Sequence, residues 1–166
     1  MVEDEIMPTA RRPTRAHPFA RWRRPALAAI VTGLEHTGTT LLSNLIKNAP
    51  GVWGGFECGI LLAPKPASFS DIFPWYQWML SNSTNQGWMV SKQGMARMLM
   101  SPNMSDMYEQ LILEAPVLKS MLDRYGHARV IDKTPRYIYD LSSVMARVPW
   151  DVPVIVSMKQ DQPLPP

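Results

Sequence analysis

Gly33-Leu34-Glu35-His36-Thr37-Gly38-Thr39-Thr40 is the stretch that decides the fold. Its glycines and closing threonines have the spacing of a phosphate-binding loop, with Thr39 where a nucleoside triphosphatase carries lysine. Glycine permits a tight turn whose backbone amides surround an anion, and a helix starting there turns its positive dipole end to the same place. Without the lysine, the loop lacks the point charge that reaches the outer phosphates of ATP. The stretch therefore suits a phosphate group, and a triphosphate less obviously.

The flanks supply the context that the motif needs. Ala26-Leu27-Ala28-Ala29-Ile30-Val31-Thr32 is a short apolar run ending at glycine, as a buried parallel strand does. Thr40 to Asn48 reads as a helix with Leu41, Leu42, Leu45 and Ile46 as its apolar stripe, closed by Asn48-Ala49-Pro50-Gly51. Further on, apolar positions from 105 to 125 have helical spacing, with Ser105 as cap and Gly126 as stop, and Pro116 kinks or divides the element. Ala128 to Asp132 and Val152 to Met158 read as strands, with a helix over 136–147 between them. Strands alternating with helices predict an α/β domain, a phosphate-loop-like parallel sheet flanked by helices, over residues 26–166.

At 166 residues, with 46% hydrophobic and 19% charged, the chain is sized and composed as one globular domain. No stretch reaches the roughly 20 apolar residues of a membrane span. Cys58 is the one cysteine, so no internal disulfide forms, and a reducing, cytoplasmic setting is expected. The net charge of +3 is concentrated in residues 1–25, an Arg/Pro-rich segment read as a disordered leader. No second basic face with interleaved aromatics accompanies it, so nucleic acid is not an expected partner. The methionines at 89, 95, 98, 100, 104 and 107 read as filling the core beneath a helix. His17, His36 and His127 are scattered, which predicts no metal site.

Three segments in order resemble the sulfotransferases that use 3′-phosphoadenosine 5′-phosphosulfate (PAPS). His36-Thr37-Gly38-Thr39-Thr40 is similar to their Lys/Arg-Ser-Gly-Thr-Thr loop. Gly54-Gly55-Phe56-Glu57 stands where tyrosylprotein-type members carry a Gly-Glu-Glu segment with the catalytic glutamate. Asp132-Lys133-Thr134-Pro135-Arg136 resembles the Asp-Lys-Thr-Pro or Asn-Lys-x-Pro stretch that precedes the helix leading to the 3′-phosphate strand. Val154 to Met158 resembles that strand, with Lys159 near the arginine of the family's Arg-Asp-Pro. Three positions depart: His36 replaces Lys or Arg, Gly59 replaces an active-site arginine, and Lys159 is followed by Gln160-Asp161-Gln162-Pro163. The family's later serine for the 3′-phosphate has no counterpart before Pro166, which implies a fold incomplete at the C-terminus.

The resemblance implies PAPS as co-substrate and a hydroxyl or amine, on a small molecule or peptide, as acceptor. His36, Thr37, Gly38, Thr39 and Thr40 would hold the 5′-phosphosulfate, and Lys159 the 3′-phosphate. Glu57 would be the base, His36 would donate to the leaving oxygen, and Lys133 would face the sulfuryl oxygens. Trp53, Trp75, Tyr76, Trp78 and Trp88 are candidates for an acceptor wall. Two other readings stand beside this one. A nucleotide kinase or hydrolase would need an acidic Mg²⁺ ligand, for which Asp132 and Asp161 are available. The remaining one is an inactive, shortened homologue.

Overall fold

The computed structural model describes residues 25–81, 87–149 and 151–159. The expected leader therefore falls almost wholly outside the described residues, as do Asp161 and the segment following Lys159. Four strands form one sheet: β1 (Leu27–Gly33), β2 (Val52–Trp53), β3 (Arg129–Lys133) and β4 (Val154–Ser157). Their spatial order is β2-β3-β1-β4, and every pairing is parallel. The chain is thus an α/β protein with a parallel sheet flanked by helices. The apolar run before the loop is the inner strand β1, whose Leu27, Ala29, Ile30 and Val31 are buried.

The strand order divides the connections between two faces. From β1 the chain passes through α1 (Thr39–Ile46) and over β3 to reach β2. From β3 it passes through the 3-10 segment Pro135–Asp140 and α6 (Leu141–Met145), over β1, to β4. Right-handed crossovers in opposite directions place their helices on opposite sides of a sheet. The two cores agree. Ala29, Val31, Val52 and Ile131 pack with Leu42 and Ile46 of α1. Leu27, Ile30 and Val130 pack with Tyr137, Val144 and the long helical insertion between β2 and β3. Adjacent strands with helices on opposite sides leave a crevice at their carboxyl ends, here between β1 and β3.

The insertion consists of α2 (Trp75–Leu80), α3 (Lys92–Leu99), α4 (Met104–Glu114) and α5 (Pro116–Tyr125). Pro116 divides the long periodic stretch in two. Ala115 before it is held extended, at ψ 118, as proline requires of its predecessor, and Pro116 opens α5 at its first turn. Asn103, not the expected Ser105, caps α4 by accepting from the Asp106 amide at 2.9 Å. Met95, Met98, Met104 and Met107 fill the core, whereas Met89 and Met100 are exposed. The expected helix over 136–147 begins instead as a 3-10 segment and becomes α-helical only from Leu141 to Met145.

One expectation about α1 fails. Leu41 and Leu45 are exposed, and the row turned inward is Thr39 and Ser43, with Leu42 and Ile46 half-buried. Both rows repeat every four residues, so periodicity alone does not choose between them.

Candidate functional site

The loop between β1 and α1 is held by its own polar groups and by β4. Thr37 closes it by donating both its amide and its hydroxyl to the Leu34 carbonyl, at 3.3 and 2.6 Å. Ser157 of β4 donates its hydroxyl to the Thr37 carbonyl at 2.5 Å, tying the loop to the neighbouring strand. Gly38 stands before α1 in the left-handed region at φ 88, with His36 also left-handed at φ 61. The first intrahelical bond runs from the Leu42 amide to the Gly38 carbonyl at 3.0 Å. No side chain caps α1, and its first turn contains no acidic residue. The amides of the first turn are therefore left to the mouth of the crevice.

Opposite the loop lies the end of β3. Register places Val31 beside Lys133 and Ile30 beside Asp132, and Thr32 of β1 donates to the Pro135 carbonyl at 3.0 Å. Lys133 is buried, and its ammonium pairs with Glu57 at 3.6 Å while lying 4.6 Å from the centre of the Phe56 ring. A cavity of about 510 Å³ opens between these parts. His36, Thr39, Thr40, Glu57 and Lys133 all line it, joined by Arg136. The structure thus brings together Glu57, His36, Lys133 and the loop threonines Thr39 and Thr40, although they come from three separate segments. Lys159 stands apart: it is exposed, two residues beyond β4, and does not line this cavity.

The aromatic residues divide. Trp75 and Trp78 line the cavity and meet edge to face at 5.7 Å, and Phe56 meets Trp78 at 5.1 Å. Tyr139, stacked with the Arg136 guanidinium at 4.9 Å, forms another part of the rim. Trp53 lines a neighbouring cavity. Trp88 is 1% exposed and packs against Trp53, and Tyr76 packs on buried Phe69, so neither is a wall residue of the main cavity. The sequence gives no sign of the Arg136–Tyr139 pairing, although Arg136 belongs to the Asp132–Arg136 motif. Their pairing needs the 3-10 spacing that brings residue i+3 over residue i.

Beneath the site lies a buried polar network. Asp132 is fully buried and accepts hydrogen bonds from Tyr108, from Tyr137 at 2.6 Å and from Thr134 at 2.8 Å. Thr134 in turn accepts the Gly59 amide, and the Tyr137 hydroxyl accepts the Leu61 amide, both at 3.0 Å. These bonds clamp the segment just after Glu57 onto the end of β3. Burial pushes the Asp132 carboxyl above its ordinary value; the three donors oppose this, and the nearby Glu57 adds to it. The same burial, with Asp132 beside them, raises the Tyr108, Tyr137 and Cys58 groups well above their ordinary values. Cys58 is a buried packing residue, as expected.

Asp132 is therefore not available as a Mg²⁺ ligand in the main cavity. Both its oxygens are engaged in the core, and it does not line the crevice. Among the described residues no cluster of three or more His, Cys, Asp or Glu side chains is arranged to hold a metal ion. No helix of the described residues is long and apolar enough to cross a membrane. Comparison with protein-family models, with curated proteins and with solved structures found no match.

Proposed function

We propose that this chain is a sulfotransferase that transfers a sulfuryl group from PAPS to a hydroxyl or amine acceptor. The observation that carries the reading is the meeting of Glu57, Lys133, His36 and the Thr39-Thr40 turn in one cavity at the ends of β1 and β3. The main-chain amides opening α1 would receive the 5′-phosphate, with the Thr39 and Thr40 hydroxyls beside them. The acceptor oxygen or nitrogen attacks sulfur and its proton passes to Glu57. The bond between sulfur and the 5′-phosphate oxygen breaks, and 3′,5′-bisphosphoadenosine leaves with its charge met by the loop and His36. Lys133, already paired with Glu57, is at hand for the sulfuryl oxygens. Little covalent work falls to the protein, and positioning carries the rate. The aromatic wall at Trp75 and Trp78 suits an acceptor with an apolar or ring-bearing body.

Thermal unfolding tests the reading. Metal-free 3′,5′-bisphosphoadenosine should raise the melting temperature, equivalent to about 2.7 kcal/mol at a hundredfold excess over its dissociation constant. Stabilisation by ATP with Mg²⁺ alone would overturn it. Glu57→Gln should keep the nucleotide-dependent rise while sulfuryl transfer to an acceptor drops by about a hundredfold or more.

A further inference from the structure

A second cavity, of about 360 Å³, lies against the first and shares Thr40, Phe56 and Lys133 with it. Its remaining polar lining comes from α1 and its C-terminal end: the inward Ser43, the exposed Asn44 and Lys47 just beyond the helix. Two ammonium groups line it and no carboxylate does. Among the described residues no acid pairs with Lys47, whose ammonium donates only to the Asn44 side chain at 3.5 Å. Burial, and then the charge of Lys133, hold Lys47 below the ordinary lysine range. Ser43 is 1% exposed, and its hydroxyl is buried without a hydrogen-bond partner. Lys133 is already paired with Glu57 at 3.6 Å, so the uncompensated groups are the buried, unpartnered Ser43 hydroxyl and the partly desolvated Lys47 ammonium, each costly alone. One oxyanion in the cavity would relieve both.

Resting on the sulfuryl-transfer reading of the neighbouring cavity, we propose that this second cavity is an acceptor subsite. It takes an anionic group carried by the acceptor, a carboxylate or a sulfate, on Lys47, Lys133 and the Ser43 hydroxyl. The shared wall of Phe56 and Lys133 places that group next to the reacting position. The acceptor is then a molecule with an anionic group at one end and its hydroxyl or amine at the other. Trp53 lines the same cavity and packs the acceptor's body at the anionic end.

The test is a titration of the full chain with sodium sulfate and, separately, sodium acetate, at constant ionic strength. The side-chain NMR signals of Lys47 and the Trp53 indole are read with and without saturating 3′,5′-bisphosphoadenosine. Both signals should move saturably with at least one anion, whether or not the nucleotide is bound. Ser43→Ala should weaken that binding about tenfold, as loss of a hydrogen bond to a charged group does. Lys47→Met, read at Trp53, should abolish it. The sulfate and acetate arms decide which oxyanion the acceptor carries. Shifts confined to the Gly38 and Thr39 amides would overturn the proposal, and so would unsaturable shifts indifferent to Ser43→Ala. Nucleotide binding that itself fills the cavity and blocks sulfate would overturn it as well. Failure of the parent reading looks different: the nucleotide leaves Gly38 and Thr39 unmoved, and the anion titration of Lys47 still decides the cavity.

Discussion

The two sides of the crevice are built in opposite ways. The end of β3 is buried, and Asp132, Thr134 and Tyr137 bond to one another there and tie in the Gly59 and Leu61 amides and the Tyr108 hydroxyl from distant parts of the chain. The loop after β1 is mostly exposed from Glu35 to Gly38, is closed largely by bonds to its own carbonyls and depends on a left-handed glycine. The first side spends its polar groups on the protein, and the second leaves its amides to whatever enters. Stability and ligand affinity should therefore separate by side: mutations at the β3 end should cost folding free energy, and mutations in the loop should cost binding.

The largest effect is expected at Asp132. Alanine there strands the hydroxyls of Tyr108, Tyr137 and Thr134 in the core, at a cost of about 3–5 kcal/mol in urea unfolding. A loss below about 1 kcal/mol would break the contrast between the two sides. The charge on Asp132 has a sign of its own. Its folded pKa is raised above the ordinary 3.8, so the unfolded chain gives up this proton first. Stability from this group falls as pH rises from 3.8 towards the raised value, and the penalty vanishes below 3.8. Asp132→Asn should remove that part of the pH dependence; an unchanged slope would show that the carboxylate carries no such burden.

Next comes Gly33, the last residue of β1 and part of the sheet rather than of the loop. An added Cβ would lie 2.2 Å from the Ser157 carbonyl oxygen, and backbone cannot step aside as a side chain does. Gly33→Ala should cost about 2–3 kcal/mol by forcing β1 and β4 apart. Thr134→Val follows at about 2 kcal/mol, because it orphans the buried Gly59 amide and takes one donor from Asp132. Because Gly59 stands two residues beyond Glu57, this variant sharpens the comparison. It should also lower turnover without changing nucleotide affinity, and a loss in affinity instead would show that the two sides are not separable.

What could be read from the chain followed the range of the interactions. β1, its loop and α1 are local: an apolar run, glycines and a helix in direct succession, so strand, turn and helix were legible. The Asp132-Lys133-Thr134-Pro135 segment stood out too, but its division of labour did not. Asp132 goes inward because Tyr108, 24 positions earlier, and Tyr137 supply the donors that let a carboxylate be buried. The alternation of a strand sends the neighbouring Lys133 towards Glu57 instead. Leu41 and Leu45 show the converse limit. Their spacing is helical, but which row of α1 meets the sheet depends on how the loop delivers the helix. Lys47 carried no signal at all, since a lysine near a helix end reads as solvated until Lys133 is brought beside it by the fold.

The smallest effect on folding, and the most telling, is expected at Gly38. A Cβ built there meets no atom within 4 Å, so crowding within the protein is not at issue. The cost is conformational: at φ 88 an alanine pays about 1–2 kcal/mol for the left-handed backbone. That is less than at Gly33 or at the β3 end. Yet Gly38, which does not itself line the cavity, sets the turn that aims the amides opening α1 at the proposed 5′-phosphate position. Gly38→Ala should therefore weaken 3′,5′-bisphosphoadenosine binding by about tenfold or more, equivalent to 1.4 kcal/mol. Calorimetric titration against urea unfolding of the same variant gives both quantities. If affinity survives while stability falls, the loop is only a connector between strand and helix. The anion must then bind elsewhere, and the division between a side built for folding and a side built for binding fails at its centre.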